Sequence, residues 1–363
     1  MIYAVVFIFA AVLTTAVTPF VMRFARRFHV VDDPSVEGDR RIHVTPVPLL
    51  GGVGIWLVLV ICIGYLSFFR PELIFYYIKP VQLVGFLVGA SILMVGGYLD
   101  DRYKLKTVWK ILFPCAAALL AILSGIGVNF ITNPFGGVWR IDSIVWSVLQ
   151  YGNFNYVLSI GTVFFTLVWL MAAMFTTKVL DGLDGLVTGI AAIGALIIVA
   201  LCLRPPVLQS DTAIFATMIA GAFVGFLPFN WSPAKIFLGE GGSLLAGYTL
   251  GILAVVAGGK IATAGIILAI PLFDAVWVVL RRVFLDRRSP VSPDRSHLHF
   301  ALIDLGLSVR QVVSFFYMIT LASGLLALFL PSLQKLYAVF ILGMLFFVGA
   351  VYLLFRDLKT SRG

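Results

Sequence analysis

Charge is what this chain has least of. Of its 363 residues 12% are Asp, Glu, Lys or Arg and 61% are hydrophobic, with a mean hydropathy of +1.06. Soluble domains carry about 25% charged residues, so an ordinary soluble globular protein is excluded. Cysteine is scarce as well: Cys62, Cys115 and Cys202 all lie in apolar stretches without metal-ligand spacing. That excludes a disulfide framework and a thiolate metal centre, and leaves packing as their role. There are four histidines and only 17 acids. Long polar stretches, low-complexity tracts and internal repeats are missing too, so no separate soluble domain is expected.

What is present is a series of apolar runs. Crossing about 30 Å of hydrocarbon takes roughly 20 residues of helix. Runs of that kind recur near 2–22, 49–69, 81–99, 108–128, 157–176, 185–203, 212–228, 243–258, 262–280, 311–330 and 336–355. The expectation is an all-α polytopic membrane protein of about eleven transmembrane helices, with 1–363 as one integral membrane domain. The first run has no charge before it and no small-residue cleavage site after it, so it reads as a retained helix. Asn133-Pro134-Phe135-Gly136-Gly137 followed by Val138-Trp139-Arg140-Ile141 reads as a small outer β-hairpin or as a plain connector.

Lys and Arg collect on the inner side of membrane proteins. With the N-terminus outside, all but Arg70, Lys79, Arg140, Arg204, Lys260 and Lys335 of the 26 basic residues fall inside. The net charge of +9 is spread over several short loops, which fits anionic lipid headgroups and not nucleic acid.

On that inner side five segments gather the polar residues. Arg40-Arg41-Ile42-His43 leads through Leu49-Leu50 to Gly51-Gly52. Two arginines can grip a phosphate, and glycines at a helix start leave backbone N–H groups approachable; Arg before a span is also ordinary positive-inside decoration. Asp100-Asp101 ends an apolar run, followed by Lys104. Adjacent carboxylates suit a general base or a metal contact, and equally a helix cap salt-bridged to Lys104. In Lys178-Val-Leu-Asp181-Gly-Leu-Asp184-Gly, steps of three place Lys178, Asp181 and Asp184 along one side of a helix, with glycines able to break it. Glu240 stands among glycines before the next run, and Arg295-Ser-His297-Leu-His299 holds two of the four histidines. A His-x-His pair can bind metal, but beside Arg a diphosphate contact fits better.

In this order, and over nearly the whole chain, these segments resemble the polyprenyl-phosphate N-acetylhexosamine-1-phosphate transferases, the superfamily that includes phospho-MurNAc-pentapeptide translocase. Ser292-Pro293-Asp294-Arg295-x-His297-Leu298-His299 is similar to the branch that starts O-antigen, enterobacterial common antigen and teichoic-acid linkage units. The resemblance implies transfer of a sugar 1-phosphate, N-acetylglucosamine 1-phosphate being the expected one, from a UDP-sugar to undecaprenyl phosphate with release of UMP. It would be the first membrane step of cell-envelope glycan synthesis, in an inner-side cleft at the cytoplasmic face of the bacterial inner membrane. It further implies that Asp100 deprotonates or orients the lipid phosphate, supported by Asp101 and Lys104, and that Asp181 and Asp184 lie under the nucleotide. Arg295, His297 and His299 would hold the diphosphate and sugar, with Arg40, Arg41 and His43 as further substrate contacts. The partners are then the lipid phosphate, the UDP-sugar and membrane lipids, and a homodimer is left open.

The chain departs from the family pattern at four positions. Lys178 stands where the family has Asn and Glu240 where it has Asp, the two positions from which the family draws its Mg²⁺ ligands. Phe300 replaces a second consecutive His, and Leu49 replaces a frequent Arg. An ammonium has donors only and cannot ligate a cation. Mg²⁺ with Glu240 as a ligand is therefore the family's expectation, while Lys178 with Glu240 as an ion pair is the expectation from this chain's own residues. Two alternatives stand beside the enzyme: a degenerate paralogue that binds lipid or nucleotide without turnover, and a transporter of polyprenyl-linked glycans, for which acids near mid-membrane and broken helices would be expected.

Overall fold

The computed structural model describes residues 1–33, 46–133, 135–151, 154–205, 207–258, 261–285, 287 and 297–360. Helices dominate them: α1 (Ile2–Arg27), α2 (Gly51–Phe69), α3 (Pro80–Tyr103), α4 (Thr107–Leu123), α5 (Ile160–Leu180), α6 (Leu186–Cys202) and α7 (Ser210–Asn230), then α8 (Gly239–Val256), α9 (Ile261–Ile267), α10 (Ala269–Leu280), α11 (Leu298–Asp304), α12 (Val309–Phe329) and α13 (Ser332–Thr360). Among the described residues eight helices are long and apolar enough to cross a membrane. The run expected at 262–280 is instead a pair, α9 and α10, bent by 73°, and α4 and α6 are shorter apolar helices. The protein is a mostly helical, multi-pass membrane protein.

Two short strand pairs lie between α4 and α5. Phe130–Thr132 pairs antiparallel with Val138–Arg140, around the turn that Gly136 and Gly137 make with positive φ. Val145–Tyr151 pairs with Phe154–Ser159. The second pair was not expected from the sequence. It takes the first residues of the run at 157–176, so α5 begins only at Ile160, where the Ser159 hydroxyl accepts from the Thr162 N–H at 3.3 Å. That N-cap bond is the local signal that ends the strand and starts the helix.

The helices are sorted by burial. In α8, 89% of the apolar window is buried, and in α13 only 6%, so α8 is central and α13 peripheral. Around α8 pack α2, α3, α5 and α6. Small residues let these backbones approach, the usual device where lipid removes the hydrophobic drive between helices. At Gly97 of α3 a Cβ would lie 2.2 Å from the backbone nitrogen of Gly241 in α8.

The bundle's two ends differ. At one end buried Asp211, at the start of α7, accepts from the N–H groups of Tyr77 at 2.5 Å and Ile78 at 2.7 Å. This ties the α2–α3 connection to α7, a structural use of a buried acid whose oxygens are satisfied. The ends of α3, α5, α7 and α10 and the starts of α4, α6, α8 and α12 meet at the other end, where the acids singled out above are found.

Candidate active site

The site begins where α3 stops. Lys104 takes the left-handed conformation (φ 52°) and its N–H caps the Asp100 carbonyl at 2.8 Å. That turn folds the chain back so that the buried Asp100 carboxylate accepts from the Leu105 N–H at 2.8 Å. The other oxygen of Asp100 pairs with the Lys110 ammonium, in the first turns of α4, at 2.9 Å. Lys110, and not Lys104, is thus the cation that holds Asp100. Spacing explains it: Lys104 lies in the turn itself with its side chain exposed, while α4 returns one turn of helix later directly beside Asp100. Asp101 points to another neighbour, and its carboxylate accepts from the Glu240 N–H at 3.2 Å and 3.3 Å. An acid at a helix start is favoured by the orphan N–H groups and positive dipole there; here α3 supplies one to α8.

Lys178, near the end of α5, donates to Glu240 Oε1 in a short ion pair, and lies 5.6 Å from the centroid of the Phe175 ring. The two side chains are 22% and 19% exposed, so solvent screens the pair only in part. The ion pair expected from the two departures is present.

Beyond Lys178 the helical spacing does not continue. Helix α5 ends at Leu180, Asp181 is its C-cap, and Gly185 has φ +81°. Asp184 therefore does not share a helix face with Lys178, contrary to the step-of-three expectation, because the Asp-Gly pairs unwind the chain between α5 and α6. The Asp184 carboxylate accepts instead from the Ala234 N–H at 3.0 Å, in the α7–α8 loop. Arg310 donates to the Ser232 carbonyl of the same loop at 2.9 Å. Burial, with help from the neighbouring Glu240 and Asp184 carboxylates, pushes Asp181 up to about 8 from its ordinary 3.8. A raised folded-state pKa favours the fold below 3.8 and loses that contribution as pH rises through about 8. Asp181→Asn, which stays neutral, should melt at a higher temperature than the parent protein above pH 8, and the difference should shrink towards pH 4. Melting curves in detergent across that range check it.

The histidine segment reaches the same place. His297 Nδ1 lies 2.8 Å from Oδ2 of Asp274 in α10, and the other oxygen of Asp274 accepts from the Leu298 N–H at 2.8 Å. His299 stacks on His297 with centroids 5.6 Å apart and lies tilted against the Phe300 ring at 4.3 Å. It is fully buried, and neither ring nitrogen has a hydrogen-bond partner among the described residues. Burial pushes its pKa down to about 4, Asp274 opposing and His297 adding to the shift. At neutral pH it is a neutral ring with one donor and one acceptor to offer. Its Nε2 faces Gly182, where a Cβ would stand 2.6 Å away, so the first Asp-Gly pair also makes room for the histidine.

Asp101, Lys178, Asp181, Asp184 and Glu240 are thereby linked through contacts or as direct electrostatic neighbours, Asp100 neighbours Asp101, and His299 joins them at Gly182 with His297 stacked on it. Arg40, Arg41, His43 and Arg295 lie outside the described residues. One expectation is corrected: the Gly51 and Gly52 N–H groups are not open to a ligand, because they donate to the Phe237 and Leu238 carbonyls at 2.9 Å each. These glycines dock α2 against the α7–α8 loop, a Cβ at Gly52 falling 2.3 Å from Gly242 Cα. Lys110 and Asp274 were not singled out from sequence. A lone acid inside the run at 262–280 was a usable signal, since an ionisable residue within a span is a functional hypothesis.

The donor set does not suit a divalent ion. Lys178 can only donate and already occupies one oxygen of Glu240, and one oxygen of Asp184 already accepts a backbone N–H. Among the described residues no group of three or more His, Cys, Asp or Glu is arranged to hold a metal.

With the geometry established, comparison with known proteins identifies the lineage. A family model for glycosyl transferase family 4 matches residues 83–258, from α3 through the α8–α9 turn. A Bacillus subtilis protein named "Probable undecaprenyl-phosphate N-acetylglucosaminyl 1-phosphate transferase" is 30% identical over 350 residues, covering 93% of this chain and 88% of that one. The chain belongs to glycosyl transferase family 4. A decaprenyl-phosphate N-acetylglucosaminephosphotransferase of Mycolicibacterium smegmatis is 29% identical, covering 87% of this chain and 79% of its own. An undecaprenyl-phosphate alpha-N-acetylglucosaminyl 1-phosphate transferase of Escherichia coli is 28% identical, covering 86% and 79%. This family 4 member is a membrane transferase, and the polar cluster at the end of its helices is where transfer chemistry is to be sought.

Proposed function

We propose that the chain transfers N-acetylglucosamine 1-phosphate from UDP-N-acetylglucosamine to undecaprenyl phosphate, as the first membrane step of an envelope glycan. In this reading the bundle crosses the bacterial inner membrane eleven times with its N-terminus outside, as the Lys and Arg distribution favours, and the cluster faces the cytoplasm. An oxygen of the lipid phosphate attacks the β-phosphorus, forming a new P–O bond. The bond from that phosphorus to the bridging oxygen breaks, and its electron pair leaves with UMP. A proton on the attacking phosphate passes to Asp100.

The observation that carries the reading is the setting of Asp100. Its carboxylate is fixed by Lys110 and the Leu105 N–H immediately beside exposed Val108, Trp109, Ile111 and Leu112 of α4. A headgroup drawn to the Lys110–Asp100 pair, whose lysine side chain is 33% exposed, can keep its tail in hydrocarbon along that face, each buried CH₂ gaining about 0.8 kcal/mol. The relatives' names support transfer over transport. Purified protein should release UMP only when both UDP-N-acetylglucosamine and undecaprenyl phosphate are present; release with the nucleotide sugar alone, or none with both, counts against the reading.

Asp274 enters as a positioning residue for His297. Asp274→Asn keeps the size but cannot both accept from Leu298 and pair with the ring as the carboxylate does. Transfer should fall about 10- to 100-fold, by analogy with the loss when a carboxylate orienting a metal-bound histidine is removed. The nucleotide-sugar KM should rise while the lipid KM and melting temperature stay near the parent values; a loss of melting temperature alone would mark a structural role.

A further inference from the structure

We infer that the Lys178 ammonium is the resident counter-charge for the diphosphate of the nucleotide sugar, in the place where family members hold a divalent ion. The inference rests on the proposed transfer and says how its substrate is neutralised.

The cluster is strongly acidic: Asp101, Asp181, Asp184 and Glu240 all border the break between α5 and α6 or the start of α8. A diphosphate brought against those carboxylates needs positive charge, because transfer to a phosphorus centre rests almost entirely on positioning and charge neutralisation. Lys178 supplies it from within the chain. Among the described residues Glu240 Oε1 is the hydrogen-bond acceptor its ammonium meets, and an ammonium has three donors, so two remain for phosphate oxygens. Its 22% exposure leaves it reachable.

Glu240 gives the lysine a fixed station. Its own N–H is held by Asp101, so the pair is tied to both α3 and α8, and the ammonium is preorganised where charge develops. A divalent ion would have to displace that ammonium from Glu240 or bind against a like charge, and neither is favourable in a partly desolvated site.

The deciding experiment is calorimetric titration of UDP-N-acetylglucosamine into the full-length protein in detergent, with Mg²⁺ and with a chelator. The expected dissociation constants agree within about twofold, and Lys178→Gln weakens binding by about tenfold or more under both conditions, a difference of about 1.4 kcal/mol. Lys178→Arg keeps the charge and should restore most of the affinity. Electron paramagnetic resonance with Mn²⁺ as the probe should show no tight site in the parent protein, and a new one in Lys178→Asn combined with Glu240→Asp. Tenfold tighter binding with Mg²⁺ in the parent protein, a tight Mn²⁺ site in it, or unchanged affinity in Lys178→Gln would each overturn the inference while leaving the transferase reading intact. If Lys178→Gln does not fold, the parent protein's Mg²⁺, chelator and Mn²⁺ measurements decide alone. Absence of UDP-N-acetylglucosamine binding under every condition would sink both.

Discussion

Asp100→Asn should lower transfer by about 100- to 10,000-fold, the range that proton transfer by a positioned side chain contributes. The substitution keeps the volume and one acceptor for the Leu105 N–H, so the turn after α3 can persist. It removes the negative charge that Lys110 answers at 2.9 Å and the base that takes a proton from the lipid phosphate. The effect should fall on kcat, with nucleotide-sugar affinity close to that of the parent protein, because the nucleotide contacts assigned above belong to α5, α8 and the histidine segment. Asp101→Ala offers a contrast. It leaves the Glu240 N–H without the carboxylate that accepts from it, so it should loosen the Lys178–Glu240 station and weaken nucleotide binding as well.

Gly97→Ala should destabilise the protein by about 3 kcal/mol or more, at the upper end of overpacking costs. The added Cβ would sit 2.2 Å from the Gly241 nitrogen and 2.3 Å from its Cα, and a backbone cannot yield by changing rotamer. Helices α3 and α8 would have to part. Since α3 carries Asp100 and Asp101 and α8 carries Glu240, protein that still folds should lose activity with its stability. Gly64→Ala in α2 is the control: nothing lies within 4 Å of its added Cβ, and alanine is the better helix former by about 1 kcal/mol. A melting temperature unchanged in Gly97→Ala would show that the close α3–α8 approach is not what holds the site together.

The apolar helices were legible because burial in lipid demands long uninterrupted runs, and the Lys178–Glu240 pair was legible because two departures of opposite charge stand at two positions that chemistry ties together. What escaped the sequence depends on where the chain turns. Asp184 could be placed on a helix by spacing alone, but Gly182 and Gly185 unwind it towards Ala234. Gly51-Gly52 looked like an open anion site, and tertiary packing gave their N–H groups to Phe237 and Leu238. Lys110 was passed over for Lys104 because sequence distance suggested the nearer cation, whereas the left-handed turn at Lys104 brings α4 back to Asp100. Asp274 could be marked as a lone acid in an apolar run, but its partner could not, since His297 lies 23 positions away in sequence.

The most direct measurement follows the phosphorus. UDP-N-acetylglucosamine labelled at its β-phosphorus is supplied with undecaprenyl phosphate to the purified protein, with a chelator present, and lipid and aqueous phases are separated. The expected result is label in the lipid phase together with the sugar, and unlabelled UMP in the water. Label remaining on a nucleotide as UDP while the sugar alone moves to lipid, or transfer that appears only when Mg²⁺ is restored, would contradict the reading of this cluster as a sugar-phosphate transferase whose counter-charge is Lys178.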